Sequence, residues 1–218
     1  MRNRFLGLSA LLFAAAAHAA VVSPSPDLMQ PGTTYTGTPV TYDGPAISVV
    51  VNSILFGNFS ASFPPPLNVG DSATHGLTAV FSGQISVNGS PFQPTNGPTA
   101  MQFSIQKGAG PNGSPLGTYA TEMLQLDING SSPFGPYMVR ESPTLASAGQ
   151  TTITDNGGGT FHIDSFFDVF TELSIDGGQT WIPANSSTHL TAEGGVPEPG
   201  SMLLLGAGLV LVARLRRR

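Results

Sequence analysis

The chain has 218 residues, only 10% of them charged, and no cysteine. That length fits one domain with appendages, and the lack of cysteine excludes disulfides, thiolate metal sites, iron–sulfur clusters and a cysteine nucleophile. Six of the eight basic residues lie at the two termini, so between Ala20 and Glu193 only Lys107 and Arg140 stand against twelve carboxylates, a net charge of −10; two cations cannot neutralise a row of phosphates, which excludes nucleic acid as a partner.

The first nineteen residues, "MRNRFLGLSALLFAAAAHA", have the three parts of a secretory signal. Arg2 and Arg4 supply the positive start, Phe5 to Ala17 the short apolar run, and Ala17-His18-Ala19 the small-x-small cleavage pattern. The run is predicted to form a signal helix over 1–19 that signal peptidase removes, so that the mature chain begins at Ala20. Residues 20–45 are dense in Pro, Gly and Thr and are expected to be extended, most clearly at Ser23-Pro24-Ser25-Pro26.

From residue 46 the pattern is one of strands and turns. Ala46–Phe56 is apolar and β-branched. Leu77–Val87, Met101–Gln106 and Glu122–Ile128 alternate with a period of two, placing Leu77, Phe81 and Ile85, then Met101, Phe103 and Ile105, then Leu124, Leu126 and Ile128, on inward parities. Asn88-Gly89, Asn112-Gly113 and Asn129-Gly130 read as hairpin turns, because both positions tolerate positive φ. Asn156-Gly157-Gly158-Gly159 is a looser turn. Gly (27) and Pro (19) make up about a fifth of the chain, and no sustained 3.6 period occurs between the termini. The prediction is an all-β fold, a β-sandwich of jelly-roll or Ig-like type with eight to ten strands over residues 46–193. No fixed-period repeat supports a propeller.

The segment from Gly159 to Ala184 is rich in aromatics, with Phe161, Phe166, Phe167, Phe170 and Trp181 expected to pack the core. It contains "SIDGGQTW", Ser174 to Trp181. Ser174, Asp176, Gly178, Thr180 and Trp181 resemble the Asp-box of sialidase-type β-propellers. The expected role is structural. Asp176 accepts backbone N–H groups in a hairpin turn, the glycines supply permissive φ, and Trp181 covers the hairpin. In the families it resembles, that box lies away from the catalytic centre.

Three other constellations carry possible chemistry. His162, Asp164 and Asp168 share a strand parity, a pattern able to hold a divalent metal, yet Phe166 and Phe170 share it too and a solvated strand face accounts for it. Glu122, Asp127, Glu141 and Glu172 are the carboxylates available for glycoside hydrolysis, which needs two about 5 to 10 Å apart, but no spacing singles out a pair. His75 and His189 read as isolated residues in loops, and there is no G-x-S-x-G elbow and no phosphate-binding glycine loop. No catalytic residue, metal site or cofactor is assigned.

The last segment is "VPEPGSMLLLGAGLVLVARLRRR". Pro197-Glu198-Pro199 is followed by an uncharged, mostly apolar run and then by Arg214, Arg216, Arg217 and Arg218. A run of this kind is expected to form a hydrophobic helix entering the inner membrane, with the arginines held on the cytoplasmic side. Residues 196–218 resemble the PEP-CTERM protein-sorting domain: Pro197, Glu198 and Pro199 match its signature and Arg216, Arg217 and Arg218 its basic cluster. The aromatic segment above also looks like a block found in exported PEP-CTERM proteins. The resemblance implies a Gram-negative source and processing by an exosortase. It also implies a transient inner-membrane anchor and delivery to the cell surface or extracellular matrix. The expected role is structural or interactive and non-enzymatic, with exopolysaccharide as a possible partner. The alternative is a secreted carbohydrate-binding or carbohydrate-active protein.

Overall fold

The structure is a computed structural model and describes residues 20–194. The predicted helices over 1–19 and 196–218 lie outside the described residues. Among the described residues there are thirteen strands and no helix, so none is long and apolar enough to cross a membrane.

The strands run β1 (Val21–Ser23), β2 (Thr33–Gly37), β3 (Val40–Asp43), β4 (Ser48–Gly57), β5 (Ser72–Val87), β6 (Gln93–Ala109), β7 (Gly117–Ser132), β8 (Gly135–Glu141), β9 (Ser147–Gly157), β10 (Thr160–Val169), β11 (Thr171–Ser174), β12 (Ile182–Pro183) and β13 (Thr188–Gly194). Every pairing is antiparallel, and the sheet returns on itself. The ring runs β2–β4–β5–β6–β7–β9–β10–β13 and closes where Leu190–Gly194 pairs with Thr33–Gly37. Several strands are two halves of one stave. β2 and β3 both pair with β4, and β8 and β9 both pair with β7. The break at Phe170 divides β10 from β11, and the bridge Tyr42↔Ala184 links the start of the last stave to β3. The result is an eight-staved, up-and-down β-barrel in which each stave neighbours the next in sequence.

This corrects the sandwich expectation. Period-2 alternation is common to sandwiches and barrels, because each needs one buried face per strand. What separates them is whether the first and last staves pair, which no local pattern encodes. Strand length differs as well: β5, β6 and β7 reach 16, 17 and 16 residues, long enough for one end to pair with one neighbour half and the other end with the next. Bulges bend them into the cylinder. One interrupts β4 against β5 between Asn52 and Leu55, with Ser53 at φ 49°. Another skips Leu124 in β7, where Gln102 faces Gln125 but Phe103 faces Met123. That extra residue shifts the parity: Leu126 and Ile128 are buried as expected, Met123 joins them, and Leu124 points to solvent.

Two of the three Asn-Gly signals form turns. Asn88 (φ 50°) and Gly89 (φ 73°) close the β5–β6 hairpin as a type I′ turn, and Gly113 (φ 73°) lies in the β6–β7 loop. Asn129-Gly130 lies inside β7. A Cβ at Gly130 would collide with the Tyr137 ring, so this glycine makes room for a core aromatic.

The barrel is filled by side chains, as eight staves allow. Tyr42, Phe56, Phe81, Ile128 and Val139 fill the half where the hairpins turn. Tyr35, Phe59, Phe103, Ile153 and Phe167 fill the other. Buried hydroxyls pair with one another: Tyr42 Oη lies 2.7 Å from Thr171 Oγ1, Tyr137 Oη 2.6 Å from Thr95 Oγ1, and Tyr35 Oη donates to Ser165 Oγ at 3.0 Å. Burial pushes the Tyr35 hydroxyl up to about 12. Of the aromatics expected in the core, Phe167 is fully buried; Phe161, Phe166, Phe170 and Trp181 are only half-buried.

Up-and-down order fixes which loops share an end. The upper end carries the turns after β3, β5 and β7 and the Ser174–Trp181 loop. The lower end carries the loops after β4, β6 and β9, the entry into β2 and the exit from β13. Residues 24–32 cross the lower end and bury Leu28 and Met29, Leu28 bridging Phe63. Val21 lies against Gly194, so Ala20 and the departure of the C-terminal segment are neighbours.

Candidate functional site

The loop from Ser174 to Trp181 joins β11 to β12 at the upper end, and the flanking pairs Glu172↔Pro183 and Leu173↔Ile182 make it a hairpin. Asp176 organises it. Its Oδ1 accepts from Ser174 Oγ (2.8 Å), Gln179 N (3.0 Å) and Thr180 N (3.0 Å), while Oδ2 accepts from Thr180 Oγ1 (2.5 Å). Ser174 Oγ also receives Gly178 N at 2.8 Å. The Thr180 hydroxyl and backbone N–H, then Ser174, hold the Asp176 carboxyl at about 2. Gly177 (φ 75°) and Gly178 (φ 88°) take conformations that favour glycine. The polar side chains of Ser174, Asp176 and Thr180 are thus spent on the loop itself. Trp181 differs from expectation: it lies on the outer wall, donating Nε1–H to Gly178 O (3.1 Å), with the Arg140 guanidinium 4.0 Å from its ring centroid.

Arg140 ties that loop to the wall. Asp127, Arg140, Glu172 and Pro183 form one cross-strand row. Arg140 donates Nε–H (2.9 Å) and Nη2–H (2.6 Å) to Glu172 Oε2. Two of the four available carboxylates are therefore accounted for by position in this row. The other two, Glu122 and Glu141, meet elsewhere. The stave made of β8 and β9 breaks at Ser142–Ala146, and this break opens a groove of about 400 Å³ lined by Glu122, Leu124, Glu141, Ser142, Thr144 and Leu145. Glu141 sits at its inner side. Burial raises its carboxyl, the Glu122 and Glu172 charges raise it further, and the Ser147 hydroxyl, donating at 3.0 Å, opposes them. The run "SPTLASAG" gave the one sequence signal for this break, since Pro143 cannot donate to a ladder.

His162, Asp164 and Asp168 do share the outer face of β10, in the row pattern expected. Asp168 is engaged by His189 of β13, whose Nδ1 lies 2.7 Å from Oδ1. No group of three or more His, Asp or Glu side chains lies within reach of one metal ion among the described residues. His75 and His189 are strand residues, not loop residues. His75 stacks on Phe63 at 4.3 Å, and burial lowers its ring.

Lys107 was not singled out by the sequence, yet it is the most committed charge in the body. It is 1% exposed. Its Nζ donates to Leu67 O (3.0 Å), Pro111 O (2.7 Å) and Ser114 O (2.6 Å), so the β4–β5 and β6–β7 loops at the lower end are pinned to one ammonium. The Tyr119 ring lies beneath it, 5.9 Å from Nζ to centroid.

Pro197, Glu198, Pro199, Arg216, Arg217 and Arg218 lie outside the described residues; the chain reaches them from Gly194 at the lower end. Comparison with protein families matches residues 195–218 to the PEP-CTERM protein-sorting motif. The match begins one residue before the segment read from the sequence and does not extend to Ser174–Trp181, whose likeness to an Asp-box is one of sequence alone. No curated protein and no solved structure matches the chain. The PEP-CTERM motif marks an exported protein with a membrane-anchored C-terminal sorting signal that an exosortase processes.

Proposed function

We propose, from the premise that this is a PEP-CTERM protein, that the barrel is a non-enzymatic structural or interaction module released to the cell surface or extracellular matrix. Signal peptidase would free Ala20, and the exosortase would act at the Pro197-Glu198-Pro199 segment. The observation that carries the reading is the sorting motif at 195–218. The barrel supports it in two ways. Its interior is packed: the space among Val40, Tyr42, Phe81, Leu126 and Tyr137 is about 20 Å³, room for about one water and not for a ligand. Its outer wall is built largely from Ser, Thr, Asn and Gln, as in the registered rows Ser72↔Gln106, Thr74↔Ser104 and Ser82↔Asn96, a surface suited to hydrogen bonding with hydrated polysaccharide. The test is processing in cells: Glu198→Ala or Pro199→Ala should leave full-length, membrane-retained protein. Normal processing of both variants would count against the reading.

A second reading, a carbohydrate-binding or carbohydrate-active protein, is favoured by the groove that holds Glu122 and Glu141. Binding of the purified protein to matrix polysaccharide, abolished by Glu141→Gln, would support it. Release of reducing sugar lost with the same substitution would make it an enzyme.

A further inference from the structure

We propose that the lower end of the barrel is a membrane-docking surface, with Leu67 and Val69 entering the interface of the same bilayer that carries the C-terminal sorting segment. The inference rests on the sorting reading above and adds the orientation of the body and the residues that touch lipid.

The tether is short. β13 ends at Gly194 on the lower end, and five residues, 195–199, precede the apolar run. At no more than about 3.6 Å per residue they reach about 20 Å. The lower end therefore stays within that distance of the bilayer while the segment is inserted.

The β4–β5 loop at that end exposes two apolar side chains. Loops ordinarily face solvent with polar groups. Here Leu67 and Val69 are 45% and 48% exposed, on either side of Asn68, an exposed residue whose side chain is tied back within its own loop and to the neighbouring one. Asn68 Oδ1 accepts Gly113 N at 3.1 Å, and Nδ2 donates to Asp71 Oδ2 at 2.9 Å. The backbone at both apolar positions is committed elsewhere: Leu67 O to the buried Lys107 ammonium, Val69 N to Asn112 Oδ1 at 2.9 Å, and Gly70 N to Lys107 O at 2.9 Å. These bonds fix the backbone from which both side chains project. The fold thus presents two apolar groups from a backbone held in place, on the end from which the tail departs. Val22 of β1, 38% exposed, stands at the same end.

Charge selects lipid tails over headgroup phosphate as the contact. The Lys107 ammonium is sequestered and Asp71 lies two residues from Val69, so there is no cationic patch for anionic headgroups in this loop. Contact driven by apolar burial is insensitive to salt. The upper end, with Phe92, Phe134 and Ile175 exposed on its tips, then faces away from the membrane.

A chain without cysteine makes the test clean. Single variants Leu67→Cys, Val69→Cys, Phe92→Cys and Phe134→Cys of the full chain are labelled with an environment-sensitive fluorophore. They are reconstituted with vesicles of phosphatidylethanolamine and phosphatidylglycerol that contain lipid nitroxide-labelled high in the acyl chain. Flotation with the vesicles first establishes that the C-terminal segment is inserted. The expected result is emission quenched several-fold more at positions 67 and 69 than at 92 and 134, and unchanged by high salt. Equal quenching at the two ends, or stronger quenching at 92 and 134, in floated protein overturns the docking surface while leaving the sorting reading intact. Failure to float overturns the sorting reading and the docking surface together.

Discussion

Lys107 offers the sharpest perturbation, because one substitution removes three hydrogen bonds from two loops. Lys107→Met keeps the length and apolar body of the side chain and deletes the ammonium. The carbonyls of Leu67, Pro111 and Ser114 then lose their donor. An orphaned buried acceptor costs about 1–3 kcal/mol. Taking the low end for each, because these loops lie at the barrel's end where water can reach some of them, gives about 3 kcal/mol. Against a total stability of about 5–15 kcal/mol that is a large fraction. The assay is urea unfolding, followed by far-UV circular dichroism and by emission of Trp181, the single tryptophan. With a slope near 2 kcal/mol per molar for a domain of this size, the midpoint should fall by about 1.5 M with the slope unchanged. Trp181 lies at the opposite end of the barrel, so coincident curves would show that the loss is global. A midpoint within about 0.3 M of the parent, less than 1 kcal/mol at that slope, would refute the reasoning and mean that water replaces the ammonium at little cost.

Three further outcomes follow from the geometry. Asp176 is held at about 2, below the ordinary carboxyl value, so its contribution is fully present above that value and is lost as pH falls through about 2. The Trp181 emission maximum should hold down to about pH 3 and then move, and Asp176→Ala should show the shifted maximum at neutral pH. The Glu141 carboxyl is raised by burial and by Glu122 and Glu172, so its ionised form opposes folding above the raised value. Glu141→Gln, which keeps an acceptor for Ser147, should raise the melting temperature at pH 7 and give little or no gain at pH 4. Gly130→Ala would place a methyl in the Tyr137 ring and should destabilise by about 1–3 kcal/mol, read as a lower urea midpoint; a neutral result would show that Tyr137 can rotate away.

Some of this molecule was legible before folding. The alternation of Met101, Phe103 and Ile105 marked a strand whose odd positions are 4%, 1% and 0% exposed, because a period of two has one physical meaning on a half-buried surface. Asn88-Gly89 marked its turn for the same reason: two positions of positive φ select those residues. The C-terminal sorting motif was legible because its features follow one another in the sequence itself and owe nothing to long-range contacts.

Closure of the barrel, the groove and the lysine pin were decided only in three dimensions. Pairing Thr33–Gly37 with Leu190–Gly194 joins residues about as far apart as the domain allows, and local alternation is the same whether that pairing forms or not. Asn129-Gly130 carried a turn signal and became strand, since the space needed by Tyr137 outweighed local preference. Trp181 read as a core residue and became a stacking partner of Arg140, because a neighbouring stave places a guanidinium over its face. Lys107 carried no signal, as the carbonyls that surround it come from positions 67, 111 and 114 on two separate loops. By itself the sequence determined an exported all-β body with a sorting tail. The tertiary structure decided that the body is a closed, filled barrel, and that its two chain ends leave from the same side.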